Sequence, residues 1–164
     1  MVMGKLTAGI RLADEVWIAT ALLHRERPDS IDFSLKEIEE RLLAEGLTES
    51  ARRGVYPHIS THCVANRPRD RARYRMLFET APSRRRLFRD GDPYDRGREG
   101  GKVTPRRSEI PPGYHVLLDW YEQQYAPATS TAADPLQDLA SRYRDLWKGV
   151  NPDAYVRDLR EGFE

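Results

Sequence analysis

Between Ser34 and Gly46 the chain carries the signals for both ends of one short helix, and that brevity constrains what can form around it. Ser34 followed three residues later by Glu37 is a capping-box pattern, in which the hydroxyl satisfies an orphan amide and the carboxylate reaches back. Gly46 stands where a left-handed C-cap residue falls, and Leu35, Ile38 and Leu42 or Leu43 give the segment an apolar face. A helix of roughly three turns is marginal alone in water. It has to bury that face against neighbouring elements, so the expectation is a small domain of short, mutually packed pieces.

The flanking sequence supplies those pieces. Ile10, Ala13, Trp17 and Ala21, widened by Val16, Leu22 and Leu23, predict a helix over about 6–24. A loop through Pro28 and Asp29 leads to the capped helix. A third segment over about 49–65 contains Pro57, which predicts either a late helix start near that residue or an irregular first turn. Tyr74 to Thr80 and Arg86 to Arg89 read as two strands joined by a turn at Pro82 and Ser83. The stretch 90–112, rich in Gly, Pro, Arg and Asp and without apolar periodicity, reads as a long loop or wing, and 113–125 returns to helical spacing. Three helices, a hairpin and a basic loop predict an α+β, mainly α fold: a winged helix-turn-helix domain over 6–125. A small, polar linker at 126–133 (APATSTAA) and a terminal module over 134–164 follow.

The net charge of +1 conceals a strong segregation. Residues 1–50 carry six basic and ten acidic side chains, 51–107 sixteen basic and six acidic, and 108–164 five basic and ten acidic. A cationic block between two acidic ones points to a polyanion partner, duplex DNA above all, whose phosphates reward clustered Arg and Lys by counterion release. Within that block Arg52, Arg53, Tyr56, His58, Ser60, Thr61, His62 and Asn66 suit base edges and phosphates together. Arg84, Arg85 and Arg86, with Arg96, Arg98, Lys102, Arg106 and Arg107, are expected to form the wing. The competing reading is a solvated basic surface. His58 and His62 stand four apart beside Cys63, a metal-like spacing, but no third or fourth ligand accompanies them; no metal or other cofactor is expected. Asp90, Asp92 and Asp95 have arginines nearby and read as solvated ion pairs. There is no glycine-rich phosphate loop after a strand and no GxSxG, so an enzyme is not expected. No apolar run is long enough to span a membrane, residues 1–11 lack the pattern of a secretory signal, and one cysteine cannot form an internal disulfide. The expectation is a cytoplasmic protein with no membrane partner.

In the terminal module Asp134 and Pro135 open a helix whose apolar stripe is Leu136, Leu139, Tyr143, Leu146 and Trp147. Gly149 breaks it, and Asn151 and Pro152 open a second helix carrying Tyr155, Val156, Leu159 and Phe163. Two short amphipathic helices behind a linker either dock back on the body or lie in a partner's groove. The run LWKGVNPDAYVRDLREGF over 146–163 resembles the toxin-binding tail of VapB-like type II antitoxins, which pair with PIN-domain ribonuclease toxins. Asn151 and Pro152 replace part of that tail's acidic run, and Phe163 stands where Trp is frequent. The resemblance implies that the tail wraps a PIN-domain toxin through the apolar residues named above, with Trp147, Tyr155, Val156 and Leu159 as anchors. Arg157 or Arg160 would meet the toxin's acidic metal site, where a guanidinium pairs carboxylates bidentately.

RRGVYPHISTHCVAN, YRMLFET and EIPPGYHVLLDWYEQQY resemble an uncharacterised family of winged-helix modules in restriction- and toxin-associated proteins. The body does not resemble the small strand-type or swapped-hairpin domains of most such antitoxins. Together these resemblances imply an antitoxin that binds operator DNA as a homodimer and represses its own transcription. The alternative is a stand-alone winged-helix regulator or restriction-associated DNA reader whose tail packs on its own body.

Overall fold

The computed structural model describes residues 10–47 and 54–127. The expected linker beyond 127, the tail and its toxin-binding residues, and Arg52 and Arg53 lie outside the described residues. All described residues belong to the first of the two units into which the chain divides, Met1–Thr129.

The fold is α+β and about half helical, with four helices and a small sheet among the described residues. Helix α1 (Leu12–Glu26) is followed by the two-residue strand β1 (Phe33–Ser34) and helix α2 (Leu35–Glu45). Helix α2 begins and ends where its signals place it. The Ser34 hydroxyl accepts from the Glu37 amide at 3.1 Å, the Glu37 carboxylate accepts from the Ser34 amide at 2.8 Å, and Gly46 closes the helix at φ 67°. The bond from the Ser34 amide, with the Arg27 guanidinium beside it, holds the Glu37 carboxyl down at about 2.

Helix α3 (Val55–Pro57) is a single turn that widens into a π turn over His58–His62. It starts two residues before Pro57, the late start near that residue that the sequence allows, and in this first turn the proline's missing amide costs no intrahelical bond. Strands β2 (Leu77–Ala81) and β3 (Arg84–Leu87) form an antiparallel hairpin around Pro82 and Ser83, with Ser83 at φ 60° and a register shift between Glu79 and Ala81. Strand β1 pairs antiparallel with the far side of β3, giving the order β1–β3–β2. The stretch 90–112 contains two short 3-10 turns, Arg96–Arg98 and Arg107–Glu109. A third, Pro112–Tyr114, leads into helix α4 (His115–Trp120), which ends in a π turn over Tyr121–Tyr125.

One apolar core joins these pieces. Trp17 and Ile18 of α1, Phe33, Ile38 and Leu42, Ile59, Met76, Leu77, Leu87 and Leu117 are fully buried. Trp17 meets Tyr121 edge-on at 5.7 Å between ring centroids, which seats the α4 segment on α1. Tyr121 donates its hydroxyl to the Phe88 carbonyl, and Tyr125 donates to Leu87 at 3.1 Å. His24 is buried at the same junction, where its Nε2 accepts from the Leu87 amide at 3.3 Å. Burial, with Arg89 and Arg86 adding to it, pulls the His24 pKa down to about 3, so the imidazole is neutral and can accept.

Candidate nucleic-acid interface

Arg98 decides how the basic block is arranged. Its side chain is 0% exposed, and its guanidinium meets no carboxylate among the described residues. It donates instead to five backbone carbonyls: Arg67 at 2.7 Å, Tyr74 at 2.7 Å, His62 at 2.8 Å, Thr61 at 2.9 Å and Pro68 at 3.2 Å. Thr61 and His62 end the π turn after α3, whereas Arg67, Pro68 and Tyr74 belong to the loop that leaves it. One planar fork therefore ties helix end and loop together, satisfying five part-buried carbonyls at once.

The wing arginines follow the same rule. Arg85 is 1% exposed, donates to the Ile59 and Ser60 carbonyls at 3.2 and 3.1 Å, and pairs with Glu79 at 2.8 Å. Glu79 also accepts from Arg67 Nε, and that bond holds its carboxyl below the usual range. Arg86 forms a bidentate pair with Asp92 at 2.7 and 2.8 Å and lies over the Phe78 ring. Arg84 is paired by Asp32 and Glu37. Lys102 lies between Glu109 and the buried Asp14, 2.7 Å from the latter, and burial raises the Asp14 carboxyl against the pull of that ammonium. The expected free cationic wing is thus not what these side chains form: Arg84, Arg85, Arg86, Arg98 and Lys102 are all engaged within the fold, and Arg107 is paired with Asp119. Sequence spacing shows that arginines and acids are near in the chain, but not that a guanidinium points inward. Of the wing residues, Arg96, Arg106 and Arg107 are exposed.

The helix residues divide differently. Tyr56, 61% exposed, Ser60, Thr61 and His62 share the outward face of α3 and its π turn. With Pro57, Asp70 and Arg71 they line a shallow concavity of ≈ 410 Å³. His62 Nδ1 lies 3.4 Å from Asp70 without hydrogen-bond geometry. His58 is turned back, with Nδ1 2.8 Å from the Gly54 carbonyl, and burial lowers its pKa. The rings of His58 and His62 are 5.1 Å apart edge-to-face. Cys63 is buried, and burial pushes its thiol up. Asn66 is exposed, yet its side-chain amide is occupied: it accepts from the Glu79 amide and donates to the Glu79 carbonyl, both at 2.9 Å, as a strand backbone would.

Three residues absent from the expected site stand out in space. Arg69, Arg71 and Arg73 are exposed, and no ion pair to any of them occurs among the described residues. The signal is present as RPRDRARYR over 67–75, whose five arginines alternate with other residues. An alternating basic run without apolar partners reads as an unremarkable loop until the loop is seen to be held against α3. With this geometry in view, comparison with known proteins adds nothing to it: no family model, curated protein or solved structure matches the chain. No helix among the described residues is long and apolar enough to cross a membrane.

Proposed function

We propose that this chain is a cytoplasmic type II antitoxin and autorepressor. It reads operator DNA through the outward face of α3 and neutralises a PIN-domain ribonuclease toxin through residues 134–164, with inhibition resting on protein contact and not on catalysis. The observation that carries the DNA half is that face itself. Tyr56, Ser60, Thr61 and His62 lie together and in reach of solvent on an element two helices deep in the chain, and a hairpin follows it. Hydroxyl, phenol and imidazole groups are donors and acceptors suited to base edges, and a helix fits the major groove.

The element order α1–β1–α2–α3–β2–β3, with β1 against β3, agrees with a winged helix-turn-helix reading in which α3 is the recognition helix and β2–β3 the wing. The wing then acts as a scaffold, since its arginines are internally paired. Symmetric operators favour a homodimer. The toxin half rests on the resemblance of 146–163 to VapB-like tails, with Trp147, Tyr155, Val156 and Leu159 as anchors and Arg157 or Arg160 at the toxin's carboxylates.

Co-expression with the product of the adjacent gene, followed by pull-down through this chain, tests the reading. A stable complex that is lost on deleting 134–164, with DNA binding retained by the truncated protein, is the expected result. Recovery of the chain alone, binding DNA in a salt-dependent way, would replace the antitoxin with a solitary regulator.

A further inference from the structure

The loop between α3 and β2 is a cationic exposed surface whose arginines 69, 71 and 73 make no ion pair among the described residues, Asp70 being the one acid within the run. Arg69, Arg71 and Arg73 are exposed at alternate positions, and Arg71 lines the same concavity as Tyr56, Ser60, Thr61 and His62. The loop is also held. Arg98 grips its carbonyls at Arg67, Pro68 and Tyr74 while gripping the helix end at Thr61 and His62. At its far end the Arg75 amide donates to Lys102 at 2.9 Å, and the Arg75 guanidinium donates to the Gly101 carbonyl. Gly101 packs so tightly there that a Cβ would sit 1.5 Å from the Arg73 carbonyl oxygen. Arg67, the first arginine of the run, is paired with Glu79.

From this we infer that Arg69, Arg71 and Arg73 form a second, pre-positioned phosphate-binding element that grips the backbone of duplex DNA beside the groove entered by α3. It takes the role the hairpin arginines were expected to fill. The inference rests on the DNA-binding reading above and assigns the affinity within it: α3 supplies base contact, and the loop supplies the sequence-independent electrostatic part. Three features select duplex phosphate over other polyanions. The guanidiniums lie along one strap at alternate residues, as successive backbone phosphates require. The strap adjoins a helix of groove-fitting width. Among the described residues Tyr56 is the only aromatic of the large exposed hydrophobic side chains, too few for the succession of stacked bases that single strands use.

The test is the salt dependence of binding of full-length protein to a 24-base-pair mixed-sequence duplex, roughly two helical turns of B-form DNA, followed by fluorescence anisotropy. Three proteins are compared: the wild type, R69A/R71A/R73A, and the control R25A/K36A, which removes cations from α1 and α2. Each phosphate contact contributes about 0.9 to the slope of log K against log salt, so loss of three should flatten it by about 2.7. The triple variant should keep the wild-type melting temperature, and the control should keep the wild-type slope. A wild-type slope in the triple variant overturns the inference and leaves DNA binding standing. Equal flattening per charge in the control overturns it too, because net charge alone would then account for binding. A loss confined to single-stranded RNA overturns the choice of duplex. Absence of duplex binding by the wild type at low salt removes the DNA-binding reading, and the inference with it.

Discussion

The Arg98 guanidinium donates to the Tyr74 carbonyl at 2.7 Å across 24 residues of chain, and it does so from a position with no exposed surface. With four further carbonyls on the same fork, this contact turns 61–74 and 95–101 into one mechanical unit. Arg98→Met keeps much of the volume and removes every donor. Leaving several buried carbonyls unpaired should destabilise the protein by about 3–5 kcal/mol, with Arg98→Lys recovering part of it. Urea unfolding of the three proteins measures this. A loss below about 1 kcal/mol for Arg98→Met would mean that the carbonyls find water instead.

His24 makes acid stability a readable quantity. Its pKa of about 3 in the fold lies below the ordinary 6.5, so the unfolded chain takes up the proton first. The stability that neutral His24 contributes is complete above pH 6.5 and declines as pH falls toward 3. Between pH 6.5 and 4.5 most carboxylates are still ionised, and the decline should be about 2–3 kcal/mol, with a smaller share from His58, which burial also lowers. Chemical denaturation across that window should show the slope in the wild type and most of it gone in His24→Gln, whose amide can still accept from Leu87. An unchanged slope in His24→Gln would place the titration elsewhere.

Ser34→Ala removes one half of the capping box and should cost about 1 kcal/mol. In the other half the Glu37 carboxylate accepts from the Ser34 amide, and Glu37→Gln should cost less than Ser34→Ala combined with it. A double-mutant cycle in thermal unfolding reads the coupling.

These residues also show what the sequence makes legible. The capped helix, the hairpin turn at Pro82 and Ser83, and the order of elements follow from local chemistry: a hydroxyl three residues before a glutamate, a glycine after an apolar stripe, and a proline and serine between two strands. Interior arginines do not announce themselves. Arg85 and Arg98 look in sequence like Arg69 and Arg71, and only long-range packing decides which point to solvent. Net charge therefore locates the basic block correctly while misassigning which of its members are free. The 90–112 stretch shows the same limit: without apolar periodicity it reads as a projecting loop, yet Arg98, Lys102 and the Tyr94 ring under Arg75 bind it to the body.

Replacing Tyr56 and Ser60 by alanine should leave stability within about 0.5 kcal/mol of wild type, because neither side chain is buried. Affinity for a specific duplex should fall about tenfold or more, with the salt slope nearly unchanged. Anisotropy titrations at two salt concentrations separate the two effects. A parallel loss on all sequences with a reduced slope would make these residues phosphate contacts and not base readers.

The account turns on α3 entering the major groove, and methylation protection tests that most directly. Full-length protein bound to a duplex taken from immediately upstream of its own coding sequence is treated with dimethyl sulfate, which methylates guanine N7 in the major groove and adenine N3 in the minor groove. The account predicts a short cluster of protected guanines, weakened in the Tyr56→Ala/Ser60→Ala variant and flanked by unprotected sequence beneath the arginine loop. Protection confined to adenine N3, or a bound complex with no protected guanine, would contradict it.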